Sequence, residues 1–212
     1  LGLPRTTAEA QGGDTDASRE VHQANLVRAI VCAGLYPNVA AVRMPKDKFV
    51  MTSGGAVGAA NDDARAVKFY LLPSGGEGFR RVFLHPSSAL FNVPSLAQSH
   101  VVFHSRQLSA ARTEHVDGER PERITVREAT AVSPLALLLF GGTVAVDHDR
   151  GTVTVDQSIT IDAPGRLAVL VRELRAELDK LLQRKIEEPA FEIGGHPVLK
   201  AIVQLLREDR IV

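Results

Sequence analysis

His100 and His104 stand four residues apart in the run HVVFH. On a helix that spacing would offer two metal ligands to one ion. The residues between them are β-branched and aromatic, so the run predicts a strand, where the two rings share a face but lie about 13 Å apart. No carboxylate sits between them as in HExxH, and a shared zinc ion is not expected. None of the six lysines (Lys46, Lys48, Lys68, Lys180, Lys185, Lys200) follows a glycine, so the phosphate-cradling loop GxxxxGK(S/T) is missing. Gly54, Gly55 and Gly58 do not make GxGxxG and lie among small residues with no strand running into a helix. Ser87 and Ser88 have no GxSxG setting and no partners that identify a triad. Cys32 falls in an apolar helical pattern and reads as a small core residue. A free-standing enzyme is disfavoured, because no nucleophile-base pair or metal set emerges.

The elements that would position these side chains follow from periodicity. Residues 1–18 (LGLPRTTAEAQGGDTDAS) have almost no large apolar residues and predict a disordered linker. From Arg19 to about Pro37 the spacing of Val21, Leu26, Ala29, Ile30 and Ala33 predicts a leading helix, with Gly34 as its left-handed cap. Short β-branched or aromatic runs then succeed one another at 39–43, 48–51, 66–72, 79–84, 101–106 and 124–132. They predict one small β-barrel within residues 38–142, its candidate span running from Val39 to Phe140. The stretches 53–65 (SGGAVGAANDDAR) and 109–123 (SAARTEHVDGERPER) read as mobile loop inserts. Residues 143–212 read as a hairpin turning at Asp149, Arg150 and Gly151, then C-terminal helices. The first of these carries a leucine stripe at 167, 170, 171, 174, 178, 181 and 182, and the second buries Val198, Ala201, Ile202, Leu205 and Leu206. The fold class is therefore mainly β with flanking helices: a small barrel, a hairpin and terminal helices.

Composition narrows the class of protein. The chain has 212 residues and a formal net charge of +0. That balance conceals a net of +4 over residues 26–140, flanked by −2 on either side. A basic excess over the predicted barrel suits a polyanionic partner. One cysteine rules out an internal disulfide, and the longest apolar run, Leu135–Phe140, is far too short to cross a bilayer, so no membrane partner is expected. The first residue is Leu and no secretory pattern follows, so the chain is expected to be an excerpt of a longer polypeptide.

Five segments are distinctive together and in order: LVRAIVCAGLYPNVAAVR (26–43), VFLHPSSALFN (82–92), VVFHSRQ (101–107), EATAVSPLALLLFGG (128–142) and VRELRAELDKLLQRKIEEP (171–189). They resemble the C-terminal region of the DEAH-box/RNA helicase A-type RNA helicases, over roughly residues 22–189. The resemblance implies an OB-fold, a barrel that binds single-stranded nucleic acid on one face and in its loops. It also implies an upstream core using ATP and Mg2+, with no cofactor in this segment, and an intracellular location, cytoplasmic or nuclear. The pattern departs from the family where the hairpin carries Ser158 near a usual Trp, and where Gln107, Leu108 and Ser109 replace a basic-Thr-Ser step.

Under that resemblance the candidate contacts to RNA are Arg80 and Arg81 beside an aromatic strand, His85, Ser87 and Ser88 in the loop after it, and Phe103, His104, Arg106 and Arg127. Arginine and serine would meet phosphates, and Phe103 would stack on a base. The other reading of Phe83 and Phe103 alike is barrel core, the commoner place for an aromatic residue in a strand. The partners so implied are single-stranded RNA, or structured RNA or DNA, and the helicase core of the same polypeptide. The alternative is a protein-interaction module that docks a cofactor protein or a ribonucleoprotein. Contiguous Arg80, Arg81, Arg106 and Arg127 would favour RNA, and an exposed apolar patch on residues 165–206 would favour protein.

Overall fold

The computed structural model describes residues 16–45, 48–52, 55–59, 63–73, 78–110 and 122–209. Helix α1 (Asp16–Leu35) leads into strand β1 (Val39–Arg43), β2 (Lys48–Thr52), β3 (Gly55–Ala59), β4 (Lys68–Leu71), β5 (Arg80–Leu84), β6 (His100–Ala110) and β7 (Glu122–Val132). Helix α2 (Pro134–Phe140), strands β8 (Val144–Asp147), β9 (Thr152–Val155) and β10 (Ile159–Asp162), and helices α3 (Gly165–Glu187) and α4 (Pro197–Glu208) complete the chain. Strands β1, β4, β5, β7 and β6 close a barrel in that order, with β5 and β7 parallel and the other pairs antiparallel.

Two apolar cores share the barrel wall. Inside the barrel lie Ala40, Phe69, Val82, Leu84, Val101, Phe103, Ile124, Val126, Ala129 and Ala131. Outside it, Val39, Val102 and Val132 meet Cys32 of α1, Leu137 of α2, Val153 and Val155 of β9, Leu178 of α3 and Ile202 of α4. Consecutive strand residues point to opposite faces, so the continuous run Val101–Val102–Phe103 is apolar because that part of β6 is covered on both sides. On β7, Ile124 and Val126 point inward, as do Ala129 and Ala131. An unbroken alternation cannot do this across three residues. Glu128, with φ 54°, adopts the left-handed conformation and resets the alternation.

Within the segment 128–142, β7 ends at Val132 and helix α2 follows with its own start and stop signals. Ser133 caps α2, its hydroxyl accepting from the Ala136 N–H at 3.1 Å, and Pro134 occupies the first turn, where no donor is needed. At the other end Gly141 N–H donates to the Leu137 carbonyl at 2.8 Å, while Arg175 of α3 donates to the carbonyls of Leu138, at 3.1 Å, and Gly141. The guanidinium thus meets the negative end of the α2 dipole. The barrel strands end at Val132, so the expected barrel boundary at Phe140 is corrected: residues 134–140 are helix α2.

Other expectations need correction. Helix α1 runs through Gly34 to Leu35, and Gly34 is helical, with no positive φ. Strands β2 and β3 pair with each other in a separate two-stranded sheet, so 48–51 is not a barrel strand and 55–59 is not loop. The rest of the 53–65 stretch up to residue 62, like residues 1–15 and 111–121, lies outside the described residues, while Asp16–Ser18, expected in a linker, begin α1. The hairpin of β8 and β9 turns at Asp149 and Arg150, whose N–H groups both donate to the Asp147 carboxylate at 3.1 Å, and Gly151 takes φ 64°. It gains a third strand, β10, so 143–162 is a three-stranded sheet. On α3 the buried seam is Ala168, Val171, Leu178 and Leu181 with Leu174 half-buried, whereas Leu167, Leu170 and Leu182 are exposed. Leu170 and Leu182 stand at the edges of that seam, directly beside the buried Val171 and Leu181. On α4, Ile202 and Leu206 are buried but Ala201 and Leu205 are exposed.

Candidate nucleic-acid interface

Strand alternation decides what Arg80 and Arg81 can do. Val82 and Leu84 point into the barrel, so Arg81 and Phe83 point outward. Register places Arg81 opposite Tyr70 of β4, and Phe83 opposite Thr125 of β7. The Phe83 ring is flanked by two guanidinium groups, Arg81 at 4.8 Å and Arg123 at 4.2 Å from its centroid. Beside it the Arg43 guanidinium lies 4.8 Å from the Tyr70 ring and 5.5 Å from Phe79, which is 50% exposed. Arg43, Lys68, Arg81, Arg123 and Arg127 are all exposed. They make a basic, aromatic-interleaved band across the outer surface of β1, β4, β5 and β7. Cation–π pairs of this kind hold a guanidinium in place while leaving its N–H edge for a phosphate.

Of the residues expected to meet RNA, Arg81 and Arg127 belong to this band, Arg127 also approaching Gln107 at 3.5 Å. Arg80, pointing the other way, lines a cleft of about 640 Å3 between the barrel and the small sheet, and Arg106 lines it too. The four arginines are therefore divided between two surfaces. His104 is exposed, its Nδ1 3.5 Å from the Glu128 carboxylate. Two expectations are corrected. Phe103 is 3% exposed and fills the barrel core, touching the cleft only from below, so it offers no open stacking face. Ser88 is buried, its hydroxyl without a hydrogen-bond partner, so it cannot reach a phosphate on the surface.

His85 and Ser87 hold their own turn. The His85 N–H donates to the Val126 carbonyl, its Nδ1 accepts from the Ser87 N–H at 3.1 Å and lies 2.7 Å from Ser87 Oγ, and the Ser88 N–H closes on the His85 carbonyl. The HPSS segment thus anchors the chain leaving the barrel. Sequence reasoning missed Arg43, Lys68, Tyr70 and Arg123 and gave the core as the commoner place for Phe83. Strict alternation from Val82 would have turned Phe83 outward, but the β1 and β4 contributions needed the register.

The cleft wall is fixed by a polar knot. The Tyr36 hydroxyl donates to Asp156, whose other carboxylate oxygen accepts from the Thr143 N–H at 2.6 Å. Burial, and then the hydrogen bond to Asp156, push the Tyr36 phenol up to about 12. At Gly142 a Cβ would fall on the Asp156 carboxylate, and at Gly141 on the Leu137 carbonyl, so the pair of glycines is required by close approach. Cys32 is fully buried, and burial pushes its thiol up to about 12, the state of an inert core residue. His100 is buried, which lowers its pKa, and its Nδ1 lies 2.9 Å from Ser99 Oγ. Among the described residues no group of three or more His, Cys, Asp or Glu could hold a metal ion, and no helix is long and apolar enough to cross a membrane.

The fold has relatives. Residues 27–144 match the oligonucleotide/oligosaccharide-binding (OB)-fold family, and residues 151–208 match the C-terminal domain in RNA helicases. The chain is 32% identical over 187 residues to the human ATP-dependent DNA/RNA helicase DHX36, covering 87% of this chain and 15% of that protein. It is 34% identical over 213 residues to human DHX57, covering 93% of this chain and 14% of that protein. To the chloroplastic DExH-box ATP-dependent RNA helicase DExH4 of Arabidopsis thaliana it is 32% identical over 185 residues, covering 87% of this chain and 11% of that protein. The chain thus spans less than a sixth of the length of these relatives. With an OB barrel followed by a helicase C-terminal domain, it belongs to the C-terminal region of the DEAH-box helicase family.

Proposed function

We propose that this chain is the RNA-gripping and regulatory C-terminal module of an ATP-dependent DEAH/RNA helicase A-type helicase. Single-stranded RNA would lie across the outer barrel face, beside an upstream core that uses ATP and Mg2+. The observation that carries this reading is the band Arg43, Tyr70, Arg81, Phe83 and Arg123, in which cations and rings alternate on one exposed surface. Such a surface tracks a phosphate backbone and offers ring faces with little regard for sequence. The module supplies grip, and bond-breaking belongs to the core. The exposed apolar residues Val21, Val27 and Ile30 of α1 are the surface on which that core would rest.

The test is fluorescence anisotropy of the 212-residue chain with labelled single-stranded RNA. Replacing Arg81 and Arg123 by Glu should weaken binding to all sequences about equally. Unchanged affinity would remove the reading.

A second reading has its own observation. Leu167, Leu170 and Leu205, 52%, 66% and 43% exposed, lie on the C-terminal helices and suit a protein partner. If charge reversal on the barrel left RNA binding intact while Leu170→Asp abolished association with the helicase core or a cofactor protein, docking would replace RNA grip as the main role.

A further inference from the structure

Arg80 and Arg81 are adjacent, and strand alternation sends them to different surfaces. Arg81 joins the outer band, and Arg80 lines the cleft between barrel and small sheet. The boundary between the two surfaces is therefore a single peptide unit wide on β5. The described walls of the cleft come from five parts of the chain: Tyr36 to Val39 before and within β1, Leu71 to Pro73 at the end of β4, Gly78 and Arg80 at the start of β5, Phe103 and Arg106 on β6, and Asp156 to Ser158 between β9 and β10.

The volume of about 640 Å3 lies within the range that holds one small molecule. Its chemistry is mixed in a specific way. Arg80 and Arg106 supply guanidinium groups from strands that are not neighbours in the barrel. Asn38 and Gln157 supply amides, which can donate and accept at once, and Ser158 supplies a hydroxyl. Val39, Leu71, Leu72 and Pro73 supply apolar surface. Among the described lining residues Asp156 is the one carboxylate, and its two oxygens accept from the Tyr36 hydroxyl and the Thr143 N–H, which fixes it in the wall.

Guanidinium groups for a phosphate, amides for a base edge and an apolar wall for a base face are what a nucleoside phosphate requires. We infer that this cleft takes one nucleotide of the strand held on the outer band, turned over the β5 edge with its phosphate toward Arg80 and Arg106 and its base toward Asn38, Gln157 and Ser158. This deepens the proposed function and rests on it for the source of the nucleotide. A unit held this way would fix the position of the strand against the barrel, which the sequence-tolerant outer band cannot do.

The experiment is amide chemical-shift mapping of the 212-residue chain with three probes: octauridylate, uridine monophosphate and inorganic phosphate. Octauridylate should move amides on the outer band and also those of residues 38, 39, 157 and 158, and uridine monophosphate should move the second set alone. Arg106→Gln, at an exposed position, should weaken the response to uridine monophosphate by about tenfold. Arg81→Glu with Arg123→Glu should weaken octauridylate and spare uridine monophosphate. If octauridylate moves the outer band and leaves the cleft still, this inference fails and the proposed function stands. If the outer band stays still, the proposed function fails, and the strand with it as the source. Inorganic phosphate as effective as uridine monophosphate would reduce the cleft to an anion site and overturn the inference. Because the mapping is done on the unmodified chain, a variant that fails to fold does not remove the test.

Discussion

The Tyr36 hydroxyl donates to the carboxylate of Asp156, joining the corner before β1 to the turn between β9 and β10 across 120 residues of sequence. The same carboxylate accepts from the Thr143 N–H at 2.6 Å, and Gly142 leaves it the space to do so. Gly142→Ala should therefore cost about 1 to 3 kcal/mol by overpacking. Tyr36→Phe should cost about 1 kcal/mol, the ordinary net value of one hydrogen bond near solvent. Urea denaturation would check both, and a Gly142→Ala variant as stable as the parent would show that the approach is not close.

Stability should fall in alkali. Cys32 and Tyr36 have pKa values in the folded chain of about 12, raised from ordinary values of 9.0 and 10.0. A raised pKa means that the unfolded chain loses its proton first, so the stabilisation is complete below the ordinary value and is lost as pH climbs toward the folded one. The decline should begin above pH 9.0 through Cys32, steepen above 10.0 through Tyr36, and end near 12. Cys32→Ala should flatten the earlier part and Tyr36→Phe the later part of a plot of midpoint denaturant against pH. A decline unchanged in both variants would assign it to other groups.

The α3 leucines should separate by burial. Leu178→Ala removes a side chain that is 4% exposed and should cost about 2 to 5 kcal/mol. Leu174→Ala, half-buried against the same core, should cost less, and Leu170→Ala, at 66% exposure, close to nothing. Thermal melts of the three variants would rank them. An equal cost at all three positions would mean that another surface covers the outer face of α3.

Binding of single-stranded RNA should be weak and sensitive to salt. The net of +4 over residues 26–140 lets few phosphates be neutralised together. A plot of log affinity against log salt should have a slope on the order of −2 to −3, as for three or four phosphate contacts to a single strand. A slope near zero would argue that the arginine band does not carry the contact.

The purified chain should release no phosphate from ATP, with or without RNA, because no lysine follows a glycine in a phosphate-cradling loop. RNA-stimulated hydrolysis by the 212-residue chain would falsify this.

Several features were decided by the sequence alone, because they depend on residues close together in the chain. The HPSS turn, the Ser133–Pro134 start of α2 and the Asp147–Gly151 turn each use a side chain or a φ preference within a few positions of the backbone it serves. The first two lie in segments that carried the family resemblance. The barrel strands were legible as short β-branched runs; Lys48–Thr52 was legible as a strand too but lies outside the barrel, paired with β3, whose glycine, alanine and valine gave no strand signal. The site was legible only in part. Arg81 and Arg127 reach the outer face by alternation, but Arg43, Tyr70 and Arg123 join them through register with β1, β4 and β7, which local sequence does not specify. Phe103 and Phe83 are both aromatic strand residues beside an arginine or a histidine. One is core and the other a surface ring, because Phe103 shares a face with Val101 inside the barrel and Phe83 is out of phase with Val82. Only the closure of the barrel on the small sheet brings Arg80, Arg106, Asn38 and Ser158 to one cleft, since a pocket walled by such distant segments exists only after the long-range contacts form.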